Sequence, residues 1–201
     1  MKDLYFGYAD CTITPPGDMG LFGYEKRDEH GFCNSGVLDD LYARALSLKS
    51  EEQELILVTL DLCLLDEKTA DRIRDSVSQK LRLPAENIML SVSHTHSGPR
   101  TMNGPYEGDA NVCEKIAAYL EELTNKVVSI CSQASCLKFR GRLSSAVFHA
   151  RLSYNRRFEY DGDKDLKAVK MLFTLWRNPG VAPNGPVDAD IPILMIERTD
   201  E

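Results

Sequence analysis

His94 and His96 stand two residues apart at the end of a short apolar run, residues 87–99, N-I-M-L-S-V-S-H-T-H-S-G-P. An apolar run of that length reads as a buried strand, and Gly98-Pro99 reads as the turn that ends it. Side chains alternate along an extended backbone, so His94 and His96 are expected on one side with Thr95 on the other. Two imidazoles aimed together suit a metal ion or a proton transfer near neutral pH. The alternative is a pair of ordinary hydrogen-bonded histidines. The chain has four histidines in all and two of them are here, which favours a shared task.

Other chemistry-bearing residues are few. Asp10, Asp39, Asp40, Asp61 and Asp188 are candidate carboxylates, and Asn155-Arg156-Arg157 forms a basic patch in an acidic chain. Arginine's fixed fork of donors can grip a carboxylate, a phosphate or a developing oxyanion, although adjacent arginines also serve as plain surface charge. Asp61 sits near the end of an apolar run, where a carboxylate is costly unless paired, so it is either satisfied structurally or part of a site. His149 reads as a structural histidine, and His30, in a long loop, as an exposed one. Phosphate-loop, dinucleotide, H-E-x-x-H and G-x-S-x-G signatures are absent, which removes the commonest nucleotide, zinc-protease and serine-hydrolase readings. A catalytic zinc takes three protein ligands plus water. His94 and His96 supply at most two, so these residues by themselves make half a site.

The elements that must position the pair follow from periodicity. Residues 55–62, L-I-L-V-T-L-D-L, carry the strongest buried-strand signal. Residues 66–81 predict an amphipathic helix with an acidic start, basic later turns and a stripe of Ala70, Ile73, Val77 and Leu81, closed by Pro84. Strand, helix and strand at this spacing predict a βαβ unit with a right-handed crossover. The H-x-H pair then lies just beyond the carboxyl end of a strand, where open α/β sheets place ligands.

Elsewhere, residues 4–13 predict a strand ended by Pro15-Pro16, and 38–49, ambiguous between helix and strand, favours by its alternation a strand with both faces partly covered. Residues 109–132 predict the longest helix, 135–153 extended chain, 169–176 a strand or short helix, and 191–196 a final strand interrupted by Pro192. Residues 17–36 and 178–190 read as loops, the first long enough to be functional and mixed enough to lie over the body of the protein. The expected fold is one α/β domain over residues 1–201, with layered mixed β-sheets flanked by helices.

Bulk properties bound the function. With 201 residues, 43% hydrophobic and 27% charged, the chain is ordinary for a soluble globular protein. A formal net charge of −7 argues against a generic nucleic-acid or anionic-membrane surface. No run approaches the roughly 18 apolar residues of a membrane span. The amino terminus lacks a secretory pattern, which reads as cytoplasmic, or as secreted if a leader has been removed. Six cysteines occur without any C-x-x-C, so they read first as reduced thiols, with disulfides the alternative and Cys63 buried in its apolar run.

Seven segments together carry a family resemblance: G-Y-A-D-C-T-I-T-P-P from Gly7, L-F-G-Y from Leu21, G-V-L-D-D-L-Y-A-R-A-L from Gly36, L-V-T-L-D-L from Leu57, the H-x-H stretch from Asn87, Y-N-R-R from Tyr154 and G-P-V-D-A-D from Gly185. In this order the chain resembles the amino-terminal part of the neutral/alkaline (non-lysosomal) ceramidase family. The resemblance implies hydrolysis of the N-acyl amide of ceramide or another lipid or small-molecule amide, with zinc as cofactor. It implies His94 as a zinc ligand and His96 as the neighbour that contacts substrate or stabilises the oxyanion. It also implies that Arg156 or Arg157 is an active-site arginine near the scissile amide. Zinc in such a site polarises the carbonyl and lowers the pKa of its water.

The family's second zinc histidine, its glutamate and tyrosine ligands and its active-site serine lie downstream of the last matching segment. The chain is therefore expected to hold less than half of a catalytic domain, either as a fragment or as a short protein needing a partner. Alone it is expected to show little hydrolase activity and an open sheet edge prone to self-association. The rival expectations are a non-catalytic homologue whose H-x-H has a structural or weak metal role, and a binding module whose loops from Gly17 and Asn178 grip a polar ligand.

Overall fold

Alternating apolar residues build a mixed sheet in the computed structural model, which describes residues 4–17, 19–23, 34–102, 110–153 and 186–199. The strands are β1 (Leu4–Thr12), β2 (Tyr42–Lys49), β3 (Glu54–Leu60), β4 (Ile88–Val92), β5 (Phe139–His149) and β6 (Asp190–Arg198), in the order β4-β3-β2-β1-β5-β6. β1 pairs antiparallel with β2 and β5, and β2 antiparallel with β3, while β3 and β4 run parallel. Helix α1 (Glu67–Leu81) joins the parallel pair, and helix α2 (Ala110–Cys136) follows β4. The predicted α/β class and the βαβ unit are both present. Two compact units divide the chain, Met1–Arg142 with Glu197–Glu201, and Leu143–Ile196.

In the first unit, local chemistry sets the element ends. The Asp66 carboxylate accepts from the Thr69 backbone N–H at 2.7 Å and caps α1, satisfying a donor that the helix start leaves unpaired. The helix stops at Arg82, which adopts the left-handed conformation with φ 57° and bonds back to Ser78. That stop precedes Pro84, the predicted terminator. Ile73 and Val77 of the expected stripe are fully buried. Helix α2 runs past its predicted end at residue 132, because Ile130, Cys131 and Ala134 continue the buried stripe. Gly7 lets this helix lie directly on β1: a Cβ there would overlap the Ala134 carbonyl.

Both helices contribute to one core, where Ala43, Ala45, Ile56, Val58 and Leu60 of the sheet meet Ile73, Val77, Leu123 and Val127. The other side of the sheet is open among the described residues: Tyr8 is 52% exposed, Leu55 44% and Met89 61%. This corrects the reading of 55–62 as a strand buried throughout. β3 alternates between buried and open positions, because the helices cover only one face.

The amino-terminal ends of β3 and β4 are tied by a polar network around Glu54, which is 8% exposed. Its carboxylate accepts from Ser47 at 2.8 Å and Ser135 at 2.7 Å, and pairs with Lys138 at 2.8 Å. Burial alone would raise its pKa, but Lys138, Ser135 and Ser47 together outweigh burial and hold it below the ordinary value. The Asn87 amide donates to the Glu54 carbonyl at 3.0 Å, fixing the start of β4.

In the second unit, the Ala150 N–H donates to the Ala189 carbonyl at 2.9 Å, and His149 Nδ1 lies 2.6 Å from Asp190 Oδ1. β6 includes Pro192 and is last in the sheet order, a position where the missing proline N–H is tolerated. The predicted element at 169–176 and most of the 178–190 loop lie outside the described residues.

Candidate metal centre at the ends of β3 and β4

Parallel pairing sets Leu60 opposite Val92, so the residues that follow each strand emerge side by side. After β3 the chain reaches Cys63. After β4 it passes Ser93, whose N–H donates to the Leu60 carbonyl at 3.0 Å, and arrives at His94. His94 has φ 58°, the left-handed region that non-glycine residues seldom occupy and that is a frequent mark of function. The two histidines do come together, but not by the alternation of an extended strand. They meet across a turn that begins after Val92.

The geometry orients His94 closely. Its Nδ1 lies 2.8 Å from the Cys63 carbonyl oxygen, which can only accept, so Nδ1 is the donor there and Nε2 is the ring nitrogen left for a metal. His96 Nε2 stands 3.4 Å from that Nε2. The rings meet edge to face, with centroids 4.9 Å apart and planes at 79°. Two nitrogens bound to one tetrahedral zinc at about 2.05 Å would be about 3.3 Å apart, so the spacing fits a shared ion. The Cys63 Sγ lies 3.7 Å from His94 Nδ1. Taking one donor atom each, Cys63, His94 and His96 lie within 4.8 Å of one another and could hold a metal ion; no other such group of three occurs among the described residues.

Cys63 is the member that sequence reasoning missed. It is 2% exposed as expected of a buried thiol, and burial raises its pKa, but it packs against His94 rather than in a purely apolar setting. The signal was available: a parallel βαβ unit brings the two strand ends together, so a metal-ligating residue just after β3 belongs beside one just after β4. Cys131 is the contrast. It sits in the core with its thiol pushed up to about 12 by burial. Cys11, Cys63, Cys113, Cys131 and Cys136 are all free thiols.

Two flanking segments hold the turn. The Thr101 hydroxyl donates to the Leu64 carbonyl at 2.5 Å, tying the chain after the histidines to the chain after Cys63. Above, Leu21 bridges Pro99 and the Phe22 N–H donates to the Gly98 carbonyl at 3.0 Å. Gly23, at φ 105°, lies against the His96 ring so closely that a Cβ would come 2.5 Å from Nδ1. The opening part of the long loop thus lies over the body of the protein as expected. Residues 24–33, with His30, are outside the described residues.

The remaining candidates go elsewhere. Asp61 accepts from the Tyr42 N–H at 3.0 Å and pairs with Arg44 at 3.1 Å, which selects its structural reading. Asp40 accepts from the Thr14 hydroxyl at 2.8 Å, and Asp188 from the Asp190 N–H at 2.9 Å. Asp39 and Asp40 line a cleft of about 710 Å³ together with Thr95 and Ser97. Asp10 is exposed on β1, in register with Arg44. His149 has its structural partner in Asp190. Arg156 and Arg157 lie outside the described residues.

A family model described as neutral/alkaline non-lysosomal ceramidase, N-terminal, matches residues 4–129. The chain belongs to that family. The match takes in β1 to β4, both metal-capable histidines and Cys63. Two solved ceramidases share the fold. Neutral ceramidase from Pseudomonas aeruginosa superposes with a TM-score of 0.63 at 21% identity, over 78% of this chain and 25% of that one. A ceramidase complexed with C2 superposes with a TM-score of 0.70 at 20% identity, over 100% of this chain and 30% of that one. The chain therefore spans well under half the length of either ceramidase. Among the described residues no helix is long and apolar enough to cross a membrane.

Proposed function

We propose that this chain carries part of the active site of a zinc-dependent hydrolase that cleaves the N-acyl amide of ceramide or a closely related lipid. Membership of the ceramidase family supports the substrate class, and the observation that carries the reading is the His94–His96 pair, its Nε2 atoms 3.4 Å apart. Zinc, when bound, supplies Lewis-acid polarisation of the amide carbonyl and activation of water.

This chain's own residues would do the rest. The Cys63 carbonyl holds His94 Nδ1–H and leaves Nε2 free to ligate, a hydrogen bond that would fix the orientation of a metal-binding imidazole. His96, beside it, would meet the substrate carbonyl and hold the oxyanion as charge develops there. Arg156 or Arg157 supplies a second, permanently charged donor to that oxyanion. Since the chain spans 25% and 30% of two solved ceramidases, the activity is assigned to the longest polypeptide that contains it.

The test is zinc content and release of fatty acid from a short-chain ceramide, on that polypeptide, for wild type and His94→Ala. Wild type should retain zinc through dialysis and lose turnover to a chelator, and His94→Ala should lose both. His96→Ala should keep zinc measurably bound while turnover falls by about 10²–10³-fold, as for loss of an oxyanion donor. Equal zinc in wild type and His94→Ala would refute the ligand assignment. Zinc binding without turnover in wild type would favour the non-catalytic homologue.

A further inference from the structure

We propose that Arg100 is a positioning residue for His96: buried under the opening part of the long loop, it seats residues 19–23, whose last glycine bears on the His96 ring. The inference rests on the reading of His96 as the group that meets the oxyanion, and adds a support that the H-x-H stretch itself does not contain.

Arg100 is 6% exposed, and a guanidinium is kept at that depth only where its charge and its donors are matched. Its neighbours Gly98, Pro99 and Thr101 are buried as well. The Thr101 hydroxyl donates to the Leu64 carbonyl, so the backbone at Arg100 is anchored to the chain that follows β3. With so little surface of its own, Arg100 has nothing to offer a substrate directly. Its part in turnover runs through the loop it lies against.

That loop is laid on the turn in register. Leu21 bridges Pro99 in the antiparallel sense, and the Phe22 N–H donates to the Gly98 carbonyl at 3.0 Å. The same register sets Gly20 over Arg100. The Cβ direction of Gly20 ends 3.7 Å from Arg100 Nε and 3.9 Å from its Cδ, ordinary contact distances. Three residues on, Gly23 lies against His96, where a Cβ would come 2.5 Å from Nδ1. The stem of Arg100 is therefore a floor under the loop, and the loop is a stop behind the His96 ring. Shortening the floor to alanine would open a cavity below Gly20 and leave the groups matched to the guanidinium uncompensated. The loop would then shift, and the ring with it.

A double-mutant cycle on the longest polypeptide that contains this chain, with a short-chain ceramide as substrate, tests the catalytic part. Arg100→Ala should lower kcat at least about tenfold, as for a catalytic group held out of place, with KM changed by less than about twofold. Arg100→Lys, which restores a long stem and a charge, should recover most of the loss. In the His96→Ala background Arg100→Ala should cost nothing further, because residues that act as a unit are not additive. Hydrogen exchange tests the seating without turnover. The Phe22 amide should exchange at least about tenfold faster in Arg100→Ala, while amides of β3 keep their wild-type rates. If Arg100→Ala does not fold, Arg100→Met, which keeps much of the stem and drops the charge, should move both readouts in the same direction. An equal loss of kcat in the wild-type and His96→Ala backgrounds would overturn the inference, and so would unchanged exchange at Phe22. A wild type without turnover would refute the hydrolase reading and the catalytic part with it, whereas faster exchange at Phe22 would still establish Arg100 as the seat of the loop.

Discussion

Replacing Gly23 by alanine should damage the candidate site through its contact with the His96 ring. A Cβ at Gly23 would lie 2.5, 2.6 and 2.8 Å from Nδ1, Cγ and Cε1 of His96. Non-bonded carbon atoms settle at about 3.5–4.0 Å, so the ring must retreat by about 1 Å or the loop must lift away. A catalytic group has to be held to within roughly 0.5 Å, so a displaced His96 should lose its hold on the developing oxyanion and turnover should fall by about 10²-fold, equivalent to about 2.7 kcal/mol.

Gly23 also has φ 105°, and a left-handed conformation costs alanine about 1–2 kcal/mol. Gly17 separates the two effects. Its φ is 88° and nothing lies within 4 Å of its Cβ direction, so Gly17→Ala carries the backbone strain without the contact. Turnover of a short-chain ceramide by the longest polypeptide that contains this chain, and stability by urea unfolding, are the measurements. Gly17→Ala should lose about 1 kcal/mol of stability and no turnover, whereas Gly23→Ala should lose both. Unchanged turnover in Gly23→Ala, with a stability loss matching Gly17→Ala, would show that the loop does not rest on His96.

Two further substitutions test the scaffold. Glu54→Gln should destabilise the fold by about 3 kcal/mol, as when one partner of a buried pair is removed, with zinc affinity unchanged because Glu54 lies at the far end of β3. The folded-state pKa of Glu54 is lowered, so its contribution is complete above the ordinary carboxylate value and is lost as pH falls through the lower, folded one. Acid unfolding followed by circular dichroism should show that dependence in wild type and a shallower one in Glu54→Gln; identical profiles would refute the network's role. Asp61→Asn should cost under about 1 kcal/mol, since its partner Arg44 is 41% exposed and such pairs are worth little. It should leave zinc affinity intact, and a large drop in affinity would return Asp61 to the site.

Much of the scaffold was legible in the residues themselves. The stripe through Ile73 and Val77, preceded by Asp66, marks α1 because a helix needs a buried face and a capped first turn. The run from Ile88 to Val92, ending at H-x-H, marks both a strand and the place where its chemistry begins. Seven ordered segments carried the family.

What those signals share is locality: each is written within one or two turns of chain. Relations across long stretches of chain were decided by the tertiary structure alone. Cys63 meets His94 from 31 residues away because two parallel strands finish together, and Glu54 meets Ser135 from 81 residues away because α2 folds back across the sheet. Gly23 comes to rest on His96 through loop pairing to Gly98 and Pro99, and β3 is open on one face because both helices chose the other. His94 and His96 were recognisable as a pair from their spacing. That they lie beside a sulfur, across a left-handed turn and beneath a glycine, follows from packing, which no local pattern of residue types contains.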